Sequence, residues 1–336
     1  MNKSLTAALC AIALASTSLM AGGIQEKQVS AAAQWVVHVD VEGFVASGLG
    51  QYLVQKGKDH DLNAKIAKFK EKFGFDPLTD LKGITLYGEN FDQAGGVAIV
   101  QAKVDQKAML KLLAENKGHK ELKYGDRVVH QWTQAAMPYS PAGDRFGTFY
   151  SDDVTAIAQS EEVLHHAIDV LDGKADNLTK AKISLLPKMP KGTLFVASAV
   201  DIALPKAHKP HGAMLQKISS GSIVAGEDDE TLFYKSDVTA ETAKDAKNIQ
   251  RLIDGFVAMA GLFSERNADA AVPAPDPSPL IEGIKVTSEG QAVHVEWSAA
   301  LEDVQTFIDS AINFGQAMRE ARKSKTQPIG SPNTGE

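Results

Sequence analysis

Cysteine is nearly absent from this chain. Cys10 is the single one among 336 residues, and it lies inside an apolar leader. Without that leader the protein holds no thiol, which excludes disulfides, a cysteine nucleophile and thiolate metal ligation. Positive charge is also in deficit: 35 Lys and Arg stand against 42 Asp and Glu, a formal charge of -7. That balance excludes a nucleic-acid binder, which needs a basic face to displace counterions from phosphates. It equally excludes a polybasic anchor on a membrane surface. No segment after the leader approaches the roughly 20 consecutive apolar residues that span a bilayer. The familiar catalytic signatures are missing too. There is no Gly-x-Ser-x-Gly elbow, no phosphate-binding loop and no His-Glu-x-x-His helix. Gly48-Leu49-Gly50 fails as a dinucleotide fingerprint because Leu53 stands where the third glycine belongs, so it reads as a helix end or turn.

The leader itself is informative. Lys3 supplies positive charge, Leu5 to Ala15 form a short apolar run, and small residues lead to Ala21 before Gly22. The pattern is that of a cleaved export signal over residues 1–21, too short for a membrane helix. Ala7-Ala8-Leu9 before Cys10 is a poor lipid-attachment box, so Cys10 reads as part of the apolar run. The expected address is the periplasm or the extracellular space. Hydrophobic residues make up 44% of the chain, enough for a substantial core without disulfides.

Residues 22–34 read as a flexible tail, with regular structure starting at Trp35. From Trp35 the chain repeats a strand, a polar capping residue and an amphipathic helix. Trp35–Asp40, Gly96–Ala102, Val154–Ala158, Leu232–Lys235 and Val293–Trp297 read as strands. Asp105, Ser160, Thr239 and Ser298 are the expected helix starts. Leu62, Ile66, Phe69 and Phe73 share one helix face, which Gly74 terminates. Leu164, Ile168 and Leu171 share another, as do Ile249, Ile253, Phe256 and Ala260. Hairpin turns fall at Tyr124–Arg127, Glu227–Glu230 and Ser288–Gln291. Hairpins imply antiparallel pairing, so the fold class is α+β, with helices mainly on one face of the sheet. A first α+β half over residues 35–203, a linker at 204–212 and a second half over 213–321 follow from the break at Leu204–Gly212. The same order of elements on both sides leaves open that the halves are related. Val272–Pro279 is a proline-dense loop, and residues 322–336 read as a disordered tail.

The phrase Phe73-Gly74-Phe75-Asp76-Pro77-Leu78-Thr79-Asp80-Leu81 leads into the strand Gly83–Gly88. With the late order of strand, Ala-rich helix, Pro-rich loop, hairpin and helix, it resembles exported bacterial proteins of uncharacterised function. The resemblance implies an envelope location and no reaction, and it assigns no functional residue.

Several residue sets could carry chemistry. Glu161/His165 and Glu162/His166 each sit at i, i+4, a spacing that can chelate a divalent ion or form a surface ion pair. Adjacent histidines point about 100° apart on a helix, so both pairs cannot serve one ion. His208 and His211 could clip a metal from a loop, but Lys206 and Lys209 oppose it. His38, His130 and His294 each lie in a strand and would form a three-histidine site only if the register brought them together. Asp152-Asp153 and Asp228-Asp229-Glu230 lack the spacing of a calcium loop and read as solvated hairpin tips. Asn177-Leu178-Thr179 is a chance-level glycosylation sequon. Trp35, Trp132 and Trp297 either pack as core or line a sugar or lipid surface. No catalytic, cofactor-binding or metal residue is assigned and no cofactor is expected. The chain reads as an exported, non-enzymatic envelope protein, a binding or structural module for a protein partner or a hydrophobic ligand. The alternatives are a divalent-metal-binding protein or metal-dependent hydrolase using His and Glu, and a subunit whose strand edges add to neighbours.

Overall fold

The computed structural model describes residues 23–325 apart from 60, 93, 117, 137–141, 203–216 and 267–273. The expected export signal, the expected linker at 204–212 with His208 and His211, and the chain beyond 325 lie outside the described residues. Among them, twelve strands and eight α-helices form an α+β fold around one antiparallel sheet. The strands are β1 (Trp35–Asp40), β2 (Leu81–Gly88), β3 (Gly96–Ala102), β4 (Lys120–Tyr124), β5 (Arg127–Gln134) and β6 (Gly143–Phe149). They continue with β7 (Val154–Ala158), β8 (Thr193–Ala199), β9 (Ile218–Asp228), β10 (Thr231–Ala240), β11 (Lys285–Glu289) and β12 (Ala292–Ala300). The helices are α1 (Val41–Ala46), α2 (Gly48–Lys58), α3 (Leu62–Phe73), α4 (Gln106–Ala114), α5 (Glu161–Leu171), α6 (Ala243–Arg266), α7 (Ser278–Ile281) and α8 (Leu301–Lys325).

The sheet order is β11-β12-β10-β9-β8-β1-β2-β3-β7-β6-β5-β4. β1 and β8 pair antiparallel at its centre. Outward from β1 the order is β1-β2-β3-β7-β6, and outward from β8 it is β8-β9-β10-β12-β11. The two halves therefore follow the same path, with the hairpin β4–β5 added only to the first, and because β8 opens the second path the divide falls before Thr193 rather than at the expected 204–212. All pairing is antiparallel because each half is built from hairpins, which tight turns can connect.

Directly paired residues share a sheet face. One row runs Val36–Tyr87–Val97–Ala158–Phe146 through the first half, and Val36–Ser198–Ser222–Asp237–His294 through the second. Helix α5 covers this face in the first half, where Leu164 and Ile168 join Val36, Tyr87, Val97 and Ile99 in a buried cluster. In the second half the same face is polar. There α6 lies on the opposite face, packing Ala246 and Ile249 on Val293, with Val238, Val286 and Val295 around them.

Three local expectations need correction. Residues 23–34 are not a loose tail. Val29 and Ser30 are almost wholly buried, Leu178 donates its N–H to the Val29 carbonyl at 2.9 Å, and Ser30 Oγ donates to Glu89 at 2.5 Å. An apolar Val29 lying in the cluster under α5 holds this segment down. The cap of α6 is Thr242 rather than Thr239, because β10 continues to Ala240; Thr242 Oγ1 accepts from Asp245 N at 3.1 Å and donates to its carboxylate at 2.6 Å. Ser298 likewise stays in β12. Finally, α8 continues to Lys325, past the expected end at 321.

The α3 boundaries agree with the periodicity. Gly74 closes the helix at φ 74°, a left-handed conformation that suits glycine, and its N–H reaches Lys70 O at 2.8 Å.

Candidate functional site

A continuous apolar concavity lies in the second half, on the α6 face. Its floor is one cross-strand row: Phe195 faces Ala225, Ala225 faces Tyr234, and Tyr234 faces Trp297. Leu232 and Val295 extend the floor, Ile253 comes from α6, and Phe44, Leu49 and Val304 come from α1, α2 and α8. Leu280, Ile281 and Ile284 close one side. The enclosed volume is 680 Å³. Among the described residues no charged side chain lines it.

Specific bonds hold this shape. Trp297 Nε1 donates to Leu280 O at 2.6 Å, which fixes the ring against α7 and satisfies its only polar atom. The register shift between Thr193 and Phe195 sets Phe195 opposite Ala225. It relies on a close approach of two glycines: a Cβ on Gly226 would stand 2.0 Å from Gly192 O. The Glu227 carboxylate accepts from Gly48 N at 2.7 Å and Leu49 N at 2.9 Å, pinning the start of α2 to β9. A carboxylate at a helix N-terminus is favoured by the orphan N–H groups and the dipole. Across the cleft, Tyr52 OH donates to Asp309 at 2.5 Å and Lys56 pairs with Asp309 at 2.6 Å, joining α2 to α8. Burial, then the Asp309 carboxylate, pushes the Tyr52 phenol up to about 12, so it stays a donor.

A second depression of 460 Å³ lies in the first half beside α5. It mixes polar and apolar groups, with Glu89, Tyr124, His165, His166 and Asp169 beside Val97 and Val163. His165 stacks on Tyr124 with centroids 3.9 Å apart. The Tyr87 hydroxyl and His165 Nε2 are buried without a hydrogen-bond partner. Burial, reinforced by Glu89, raises the Tyr87 phenol above its ordinary range.

The residues weighed for chemistry separate. His165 Nε2 stands 3.7 Å from Glu161, while His166 turns away from Glu162 and pairs with Glu89 at 2.9 Å. The two histidines diverge as helix geometry requires. His38, His130 and His294 do not meet: β1, β5 and β12 are not neighbours. His38 bonds Thr85 at 2.8 Å, and His294 bonds Asp237 at 2.6 Å on the polar face opposite Val293 and Val295. Asp228 and Asp229 take Lys191 at a hairpin tip, and Asp153 accepts from Ser151. Asn177 accepts from Thr179 in a short turn. Of the tryptophans, Trp297 lines the cleft, Trp35 donates to Asn90 O at 2.8 Å, and Trp132 lies against Gly147.

One cluster escaped the sequence reading. His119, Glu121 and His130 bring one donor atom each to within 4.8 Å of one another. The Tyr124–Arg127 turn contained the signal. It fixes a register in which Glu121 faces His130, and His119, two residues before Glu121, falls on the same face.

No protein-family model and no curated protein matches the chain. Solved structures of the protein TP0453 do. Its crystal form III has a TM-score of 0.44 at 10% identity, over 86% of this chain and 99% of that one. Form I gives 0.42 at 10% and form IV 0.40 at 9%, each over 86% of this chain and 98% of that one.

Proposed function

We propose that this chain is an exported, non-enzymatic module that holds an apolar ligand, such as an acyl chain, in the cleft of its second half. The observation that carries the reading is the uncharged floor Phe195–Ala225–Tyr234–Trp297, walled by α1, α2, α6, α7 and α8. Its 680 Å³ falls within the roughly 300–1,000 Å³ usual for ligand clefts. The one indole N–H on the floor is already bonded to Leu280 O, which leaves the Tyr234 hydroxyl as the polar side-chain group of that floor. An apolar surface of this kind, left open to water, gains by taking up hydrocarbon. The export signal supports delivery to the envelope. The absence of recognisable catalytic motifs favours binding over chemistry.

A dansyl-labelled fatty acid titrated into the purified protein tests this. Binding with a blue-shifted probe and a change in Trp297 fluorescence is expected. Ile253→Arg, which sets a charge among apolar side chains, should weaken it by about tenfold or more. Lys235→Ala, on the opposite face, should leave it unchanged. Failure of the wild type to bind, or equal binding by Ile253→Arg, overturns the reading. A dimer that Ile253→Arg dissociates, with no probe bound, would replace it by self-association.

A further inference from the structure

His119, Glu121 and His130 form a divalent-cation site, we propose, at the free edge of the first half, with zinc the ion it suits best. The inference is independent of the apolar cleft, which lies in the other half of the sheet.

His119 Nε2 and His130 Nδ1 are 3.1 Å apart, with the rings 24° from parallel. Zinc–nitrogen bonds of about 2.0–2.1 Å at a tetrahedral angle set two nitrogens roughly 3.3 Å apart. The two imidazoles are therefore spaced as one ion would space them. Glu121 is the direct cross-strand partner of His130, and its carboxylate lies with both nitrogens inside the 4.8 Å group. Two imidazoles and a carboxylate suit zinc and its borderline neighbours, and three protein donors leave a tetrahedral ion one position for water.

The donors are held before any ion arrives. His130 is 5% exposed, fixed in the β5 ladder with Phe149 edge-on to its ring at 5.9 Å. The turn that delivers His119 is tied by Asn116. Its Nδ2 donates to Thr133 O at 2.9 Å, its Oδ1 accepts from Gly118 N at 2.9 Å, and its carbonyl accepts from His119 N at 2.9 Å. Glu121 is exposed, which gives an ion a way in. A bound ion would clamp the β4–β5 hairpin, the addition that distinguishes the first half from the second.

The full chain, stripped with chelator and free of any histidine tag, is titrated with zinc chloride by calorimetry and with cobalt chloride by visible absorption. One equivalent of zinc and a tetrahedral cobalt band are expected. His119→Ala and Glu121→Gln, both away from the core, should each weaken uptake at least about tenfold. His130→Ala is avoided as the primary test because that ring is buried. No uptake by the wild type, or undiminished uptake by either variant, overturns the proposal.

Discussion

On α5, Leu164, Ala167, Ile168 and Val170 are each at most 1% exposed; on α6, Leu252, Phe256 and Met259 are 43%, 57% and 46% exposed. Both helices follow hairpin strands in the same sheet, and both carry an apolar stripe. The difference is what lies opposite. The α5 stripe meets five strands' worth of apolar row plus the 23–34 segment, which folds in Val29 from the other side. The α6 stripe buries Ala246 and Ile249 on Val293 with Ile253 packed beside them, while Leu252, Phe256 and Met259 stand exposed on its flank. A shared strand order thus supports one closed core and one open cleft.

The largest expected effect tests that contrast directly. Ile168→Ala should cost about 2–5 kcal/mol in urea denaturation, the range for deleting a fully buried branched side chain. Phe256→Ala, on a helix of similar make, should cost less than about 0.5 kcal/mol. Equal losses would break the comparison, because they would mean the α6 stripe is covered in solution. Next in size is the junction between the halves. Glu227→Ala strips the acceptor from two N–H groups at the start of α2 and should cost about 1–3 kcal/mol. It should also weaken binding in the cleft while leaving zinc uptake at His119 unchanged.

Much of the fold was legible because local physics decides it. The turns at Tyr124–Arg127, Glu227–Glu230 and Ser288–Gln291, the α3 stripe ending at Gly74 and the Asp105 cap all depend on residues within one turn of each other. What was not legible depends on partners far along the chain. Val29 is buried by α5, more than a hundred residues later, so its segment looked like a tail. Phe256 fits a core-facing stripe by spacing, yet it stands exposed on the flank of the face that Ala246 and Ile249 bury, and which flank the sheet covers is set by distant strands. The cleft floor draws Phe195, Ala225, Tyr234 and Trp297 from four strands, and no spacing within one strand announces it. The His119–Glu121–His130 group lies between these extremes, one hairpin register away from visibility.

A pH experiment sharpens the account of how the first half stays closed. Arg127 Nη2 reaches Asp172 at 2.6 Å and stacks 3.8 Å over the Tyr150 ring. Tyr150 OH donates to the same carboxylate at 3.0 Å, and Lys174 at 2.9 Å. Burial alone would raise this carboxyl, but bonds from Arg127, Lys174 and Tyr150 outweigh it and hold it down at about 2. A depressed folded-state value gives stability that is present above the unfolded value near 4 and lost as pH falls through about 2. With solvent screening allowed for, the loss should be on the order of 1–2 kcal/mol between pH 4 and 2. Asp172→Asn should remove that part of the acid dependence and leave ligand binding in the cleft intact.

The smallest effect concerns the latch between α2 and α8, where two contacts converge on one carboxylate. Tyr52 and Lys56 both meet Asp309, at nearly equal distances, but in different surroundings. The Lys56–Asp309 side chains are 40% and 43% exposed, so water screens the pair and its two long side chains lose freedom in forming it. Lys56→Ala should therefore change stability by less than about 0.5 kcal/mol. The Tyr52 hydroxyl is more sheltered and donates to a charged acceptor, so Tyr52→Phe should cost about 1–2 kcal/mol. If α8 is a wall of the cleft, Tyr52→Phe should also speed release of the fatty-acid probe, while Lys56→Ala leaves the release rate alone. Equal release rates in both variants would mean that α8 is held by its apolar contacts at Val304, and that the open half owes its shape to packing rather than to this latch.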